Sequence, residues 1–173
     1  VKSDDLVEWM LHPSKPDWSA GIAKEWTPGE MGARKRLRDF LKDAITGYAE
    51  GRDRPDQNHT SRLSPHLRFG EISPHQIWRA ASHAQEAGEA PARDIQKFLS
   101  EIAWRDFSHH LLYNDPEMGH LSWRRQFEDV DWRTGSKSEL EAWRRGQTGY
   151  PIVDAGMREL WTTGYMHNRV RMI

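Results

Sequence analysis

Residues 92–113 read ARDIQKFLSEIAWRDFSHHLLY, and their apolar members Ile95, Phe98, Leu99 and Ile102 fall at i, i+3, i+4 and i+7. That spacing is one buried stripe on a helix. Glu101, Trp104, Arg105 and Ser108 share the roughly opposite face. A Glu–Arg pair four residues apart is ordinarily a solvated surface pair worth about 0.2–0.5 kcal/mol. The Trp beside it needs a further reason, because a large apolar ring on a polar face is costly. A carboxylate accepts from a base amino group and an indole stacks on a base, so the pair has nucleobase-recognition chemistry.

Working upstream, Thr27-Pro28-Gly29-Glu30 predicts a helix start, with Thr27 capping, Pro28 in the first turn and Glu30 closing a capping box. Leu37, Phe40, Leu41, Ala44, Ile45 and Tyr48 continue an amphipathic stripe to Gly51. Before it, residues 1–26 read as a loop-rich lead-in broken by Pro13 and Pro16. After it, residues 51–64 form a polar loop containing Thr60-Ser61-Arg62-Leu63-Ser64. Ser64-Pro65 and Ser73-Pro74 repeat a cap-then-Pro signature, the second with Gln76 at the box position. A short helix to about Gly70 and a longer one over 74–86 follow. The hydroxyls and guanidinium of 60–64, set before a helix start, suit a phosphate, although from this motif alone an ordinary Ser cap with a polar loop before it is the better explanation.

Downstream, helices are predicted over 138–145, over 151–163 and from about Tyr165. GQTGYPIVD (146–154) is a turn into a helix. GYMHNRVRM (164–172) concentrates His167, Asn168, Arg169 and Arg171, the two Arg on different faces. No segment shows period-2 alternation, so the fold class is all-α, with 27–173 as one helical domain. His109 and His110 point about 100° apart on a helix and no carboxylate follows them at ligand spacing, so no metal site is expected there.

Composition narrows the partners. Hydrophobic residues make up 36% and charged residues 29%, and the formal net charge is −1 from 25 basic and 26 acidic side chains. Near-neutrality argues against a strongly basic nucleic-acid module. With no Cys, disulfides, zinc–thiolate sites and Cys nucleophiles are excluded. No signal peptide or bilayer-length stretch is present, so a cytoplasmic protein without membrane contact is expected. Val1 and Ile173 both read as cuts through a longer polypeptide. Nine Trp among 173 residues exceed what a core requires, and an indole is also oxidisable.

Tyr48, TSRLSPHLRFGEIS (60–73), EIAWRDF (101–107), GQTGYPIVDAGMREL (146–160) and GYMHNRVRMI (164–173), in that order, resemble the DNA photolyase/cryptochrome family. The resemblance implies a multi-helix FAD-binding domain, incomplete on its C-terminal side. By position, Tyr48, Thr60, Ser61, Arg62, Leu63, Ser64, Phe98, Glu101, Arg105 and Asn168 resemble its cofactor contacts. Glu101, Trp104, Arg105, Asn168, Arg169 and Met172 resemble its contacts to damaged DNA, with Glu101 also catalytic. Trp132 resembles the outermost Trp of the relay that feeds electrons to excited flavin. The implied activity is light-driven splitting of cyclobutane pyrimidine dimers in UV-damaged DNA by reduced FAD, in a monomeric full-length protein. The fragment alone is expected to be inactive, and a cryptochrome-type blue-light photoreceptor is the alternative.

Overall fold

The computed structural model describes residues 3–173, and no strand occurs among them. The α-helices are α1 (Ala20–Glu25), α2 (Glu30–Asp43), α3 (Tyr48–Gly51), α4 (Ser64–Arg68), α5 (Pro74–Glu86), α6 (Ala92–Asn114), α7 (Lys137–Arg144), α8 (Pro151–Thr163) and α9 (Asn168–Arg171). The expected all-α class is therefore observed. The chain forms two compact units, one of residues 29–136 and one that joins the N-terminal 28 residues to 137–173.

The 29–136 unit is built on α2 to α6. Its core takes Leu37 and Phe40 from α2, Tyr48 from α3, Ile77 and Ala81 from α5, and Ile95, Phe98 and Leu99 from α6, joined by Leu63 and Ile72 from the connections. The predicted stripe of α6 thus faces inward, with Ile102 partly buried at its edge. Three rings lock the centre: Phe98 lies 4.8 Å from Phe40 and edge-on to Tyr48 at 5.5 Å. The expected capping box on α5 is present, Ser73 Oγ accepting from the Gln76 N–H at 3.2 Å and Gln76 Oε1 accepting from the Ser73 N–H at 2.8 Å. Ser73→Ala should cost about 1 kcal/mol, read as a lower urea midpoint with unchanged slope; an unchanged midpoint would show the cap to be idle.

Three local expectations are corrected. The helix after Pro28 starts at Glu30 with Gly29, not Thr27, at the cap (φ 93°). The Gly29 N–H is satisfied from outside the helix, by Glu71 Oε1 at 2.7 Å. That helix does not run to Gly51. It ends at Asp43, and Gly47 at φ 82° turns the chain into α3. The stripe survives the break because Ile45 and Tyr48 still reach the same core. Ser64 is the first residue of α4 rather than its cap, and the cap position, Leu63, carries no side-chain bond.

In the second unit, the lead-in contains a 3-10 turn (Leu6–Trp9) and α1, so it is less loop-like than its Pro residues suggest. The Trp26 indole N–H donates to the Thr163 carbonyl at 2.6 Å. Gly156 on α8 is required by a close approach, since a Cβ there would meet Val170 at 2.4 Å. The last helix starts at Asn168, three residues later than expected, with His167 Nδ1 accepting from the Arg169 N–H at 3.2 Å.

Asp154 is the anchor of the 146–154 turn. It accepts from the Thr148 hydroxyl at 2.6 Å, the Thr148 N–H at 2.7 Å and the Gly149 N–H at 3.0 Å. The Thr148 hydroxyl first, then those N–H groups and Arg158, hold its carboxyl below the usual 3.8. A depressed carboxyl binds its proton more weakly folded than unfolded. The stability it contributes is present above the unfolded value and is lost as pH falls through the folded one. Thermal midpoints should drop below about pH 4, and Asp154→Asn should show a shallower pH slope than the parent chain. Equal slopes would sink the assignment.

Candidate functional site

Two connections and one helix build the densest group of site residues in the 29–136 unit. Tyr48 opens α3 directly after the Gly47 turn. Asp94, near the start of α6, fixes that turn by accepting from the Gly47 N–H at 2.9 Å and the Ala49 N–H at 2.8 Å. Leu63 is 2% exposed and ties the 60–64 loop to the core that holds Tyr48 and Phe98. Thr60, Ser61 and Arg62 are half-buried, Ser64 is exposed, and Arg62 adopts the left-handed region at φ 51°. The chain before α4 therefore turns sharply at a non-glycine residue, with hydroxyls on either side. Tyr48 and Phe98 are core side chains, at 6% and 1% exposure.

One turn beyond Phe98, Glu101 leaves the core half-buried. Its ion-pair partners are Arg52, at short range, and Lys97 at 3.1 Å. The i,i+4 partner expected from spacing, Arg105, is not among them. Arg52 comes from the C-terminal end of α3, which packs directly against α6, and it is the candidate that sequence reading missed. Nothing in its neighbourhood marks it: it follows Gly51 in a polar loop. Its side chain is 13% exposed and its Nε also lies 3.7 Å from Asp53. A largely desolvated guanidinium holding a carboxylate restricts where that carboxylate can point.

Trp104 stands 59% exposed on the same helix and meets Phe107 edge-on at 5.7 Å. Arg105 is half-buried beside it. Trp132 lies in irregular chain and is 78% exposed. Of the Trp, eight are exposed and only Trp26 is half-buried. The surplus indoles noted in the composition are thus surface groups.

Asn168, Arg169 and Met172 belong to the other unit. There they form a small cluster in which Asn168 Nδ2 and Arg169 Nη1 approach the exposed Met172 sulfur at 3.8 and 3.9 Å. Among the described residues no group of three potential metal ligands occurs and no helix is long and apolar enough to cross a membrane.

A family model described as the FAD binding domain of DNA photolyase matches residues 98–173. A deoxyribodipyrimidine photo-lyase of Agrobacterium fabrum is 51% identical over 172 residues, 99% of this chain and 35% of its own length. This chain belongs to the DNA photolyase family. The crystal structure of a bacterial class III photolyase from Agrobacterium tumefaciens superposes with a TM-score of 0.91 at 50% identity, over 99% of this chain and 35% of that one. Photolyase relatives are joined by cryptochromes: cryptochrome-1 of Arabidopsis thaliana is 36% identical over 190 residues, 100% of this chain and 27% of its length. The chain spans about a third of the length of these photolyase relatives.

Proposed function

We propose that this chain is the flavin- and DNA-facing helical part of a deoxyribodipyrimidine photolyase, a lyase that splits cyclobutane pyrimidine dimers in UV-damaged DNA with light. The single observation that supports it best is the shared anchoring of Tyr48, Leu63 and Phe98 in one core. That anchoring binds the hydroxyl loop to the helix carrying Glu101 and Trp104.

The donor set fits FAD. Thr60, Ser61 and Ser64 offer hydroxyls on a sharply turned loop, and Arg62 offers a guanidinium, which together suit a diphosphate. Leu63 contributes backbone while its side chain stays in the core. Arg105 on α6 and, from the other unit, Asn168 are the remaining candidate polar contacts, while Tyr48 and Phe98 anchor the loop and α6 from within the core. When bound, FAD in its reduced form supplies the light-absorbing electron donor.

The chain's own residues do the rest. Trp104 is exposed and ready to stack on a flipped-out base, an extrusion made cheaper by a lesion that pairs poorly. Glu101, held by Arg52 and Lys97, presents a carboxyl for hydrogen bonding at the dimer, where charge develops during splitting. Met172 offers an apolar thioether against the lesion, Asn168 a further polar contact and Arg169 a phosphate contact. Trp132 lies at the solvent end of an electron path.

The test uses the full-length protein. Purified with bound FAD, it should remove cyclobutane dimers from a UV-irradiated oligonucleotide under blue light and not in the dark. A flavin-free full-length protein would overturn the assignment. Bound flavin with no repair would move it to the cryptochrome reading.

A further inference from the structure

A groove of about 850 Å³ runs between α2 and α5, and its lining includes none of the site residues assigned above. Leu41, Ala80 and Ala84 give it an apolar floor, and Arg38, Lys42 and Arg79 stand on its rims. Arg38 and Lys42 are four residues apart on α2, so they rise about 6 Å along one wall. Arg79 and, one turn on, His83 line the other wall. None of Arg38, Lys42 or Arg79 forms a salt bridge or a side-chain hydrogen bond among the described residues. The neighbouring cations Arg34 and Lys35 are instead each tied to a carboxylate one turn away. Only Glu89 brings a negative charge to the lining.

Three cations against the single Glu89 carboxylate leave the lining with a positive excess, and an anion between them offsets that excess. An aliphatic floor favours the flat face of a ring rather than a bare ion. The volume falls within the roughly 300–1,000 Å³ usual for small-molecule sites. The geometry points to a second ligand site, for an aromatic anion of mononucleotide size. Its phosphate lies between Arg38, Lys42 and Arg79, and its ring lies over Leu41, Ala80 and Ala84. The site stands independently of the flavin and DNA reading, because it shares no residue with it.

The experiment is calorimetric titration of the chain with AMP and, separately, with pyrophosphate, at low and high salt. AMP should bind more tightly than pyrophosphate and more weakly as salt rises. Arg38→Glu with Lys42→Glu should weaken AMP binding by about tenfold or more, as expected for losing charge-assisted bonds to a phosphate. Circular dichroism identifies any variant that fails to fold, and Arg79→Glu then provides the same test from the opposite wall. No AMP binding, or unchanged binding in the folded charge-reversal variants, would overturn the site. Pyrophosphate binding as tight as AMP would overturn the role of the floor.

Discussion

Phe98→Ala is expected to remove about 3–5 kcal/mol of stability, the usual cost of deleting a fully buried aromatic side chain. Phe98 is 1% exposed and touches Phe40 and Tyr48, so truncation opens a cavity at the meeting point of α2, α3 and α6. A domain has about 5–15 kcal/mol in total, so the loss is a large share of it. Urea unfolding followed by circular dichroism reads the effect directly. Phe98→Leu, which keeps much of the volume, should cost less. A loss for the alanine variant within about 1 kcal/mol, the level of a surface change, would mean that this ring triad does not hold the unit together. Because Tyr48 and Leu63 share that core, the same variant should also loosen the 60–64 loop, seen as faster amide exchange there.

Trp104→Ala should leave stability nearly unchanged while cutting the affinity of the full-length protein for a dimer-containing oligonucleotide. Its indole is 59% exposed, so little buried area is lost. Stacking on one base is worth about 1–3 kcal/mol, or roughly 5- to 150-fold in affinity. Fluorescence anisotropy with a labelled oligonucleotide measures it. Trp78→Ala, which removes another exposed indole on α5, is the control and should bind like the parent. Matching losses in both variants would reduce Trp104 to one sticky surface ring among several.

Much of the helical order was legible because its causes are local. The bounds of α5 follow from Ser73, Pro74 and Gln76, which cap the helix with atoms three residues apart. The stripe of α6 follows from the period of its apolar residues. Where the local signal was ambiguous, distant atoms decided. Thr27 and Ser64 have capping chemistry, yet Gly29 takes the first cap with Glu71 supplying its N–H partner, and Leu63 is drawn into the core at the second. The break between α2 and α3 was invisible to periodicity, since Ile45 and Tyr48 keep pointing at the same core after Gly47 turns the chain.

The amino-acid order by itself determined an all-helical chain and, through four motifs in sequence, membership of the DNA photolyase family. Both rest on short-range rules: period, caps, turn residues and residue strings. Only the tertiary structure decided who meets whom. It gave Glu101 the guanidinium of Arg52, 49 residues upstream, in place of the neighbouring Arg105. It set Asp94 against the Gly47 and Ala49 N–H groups, and it lined a groove with three unpaired cations from two helices. Such pairings depend on the angles and distances at which packed helices cross, which no local pattern carries.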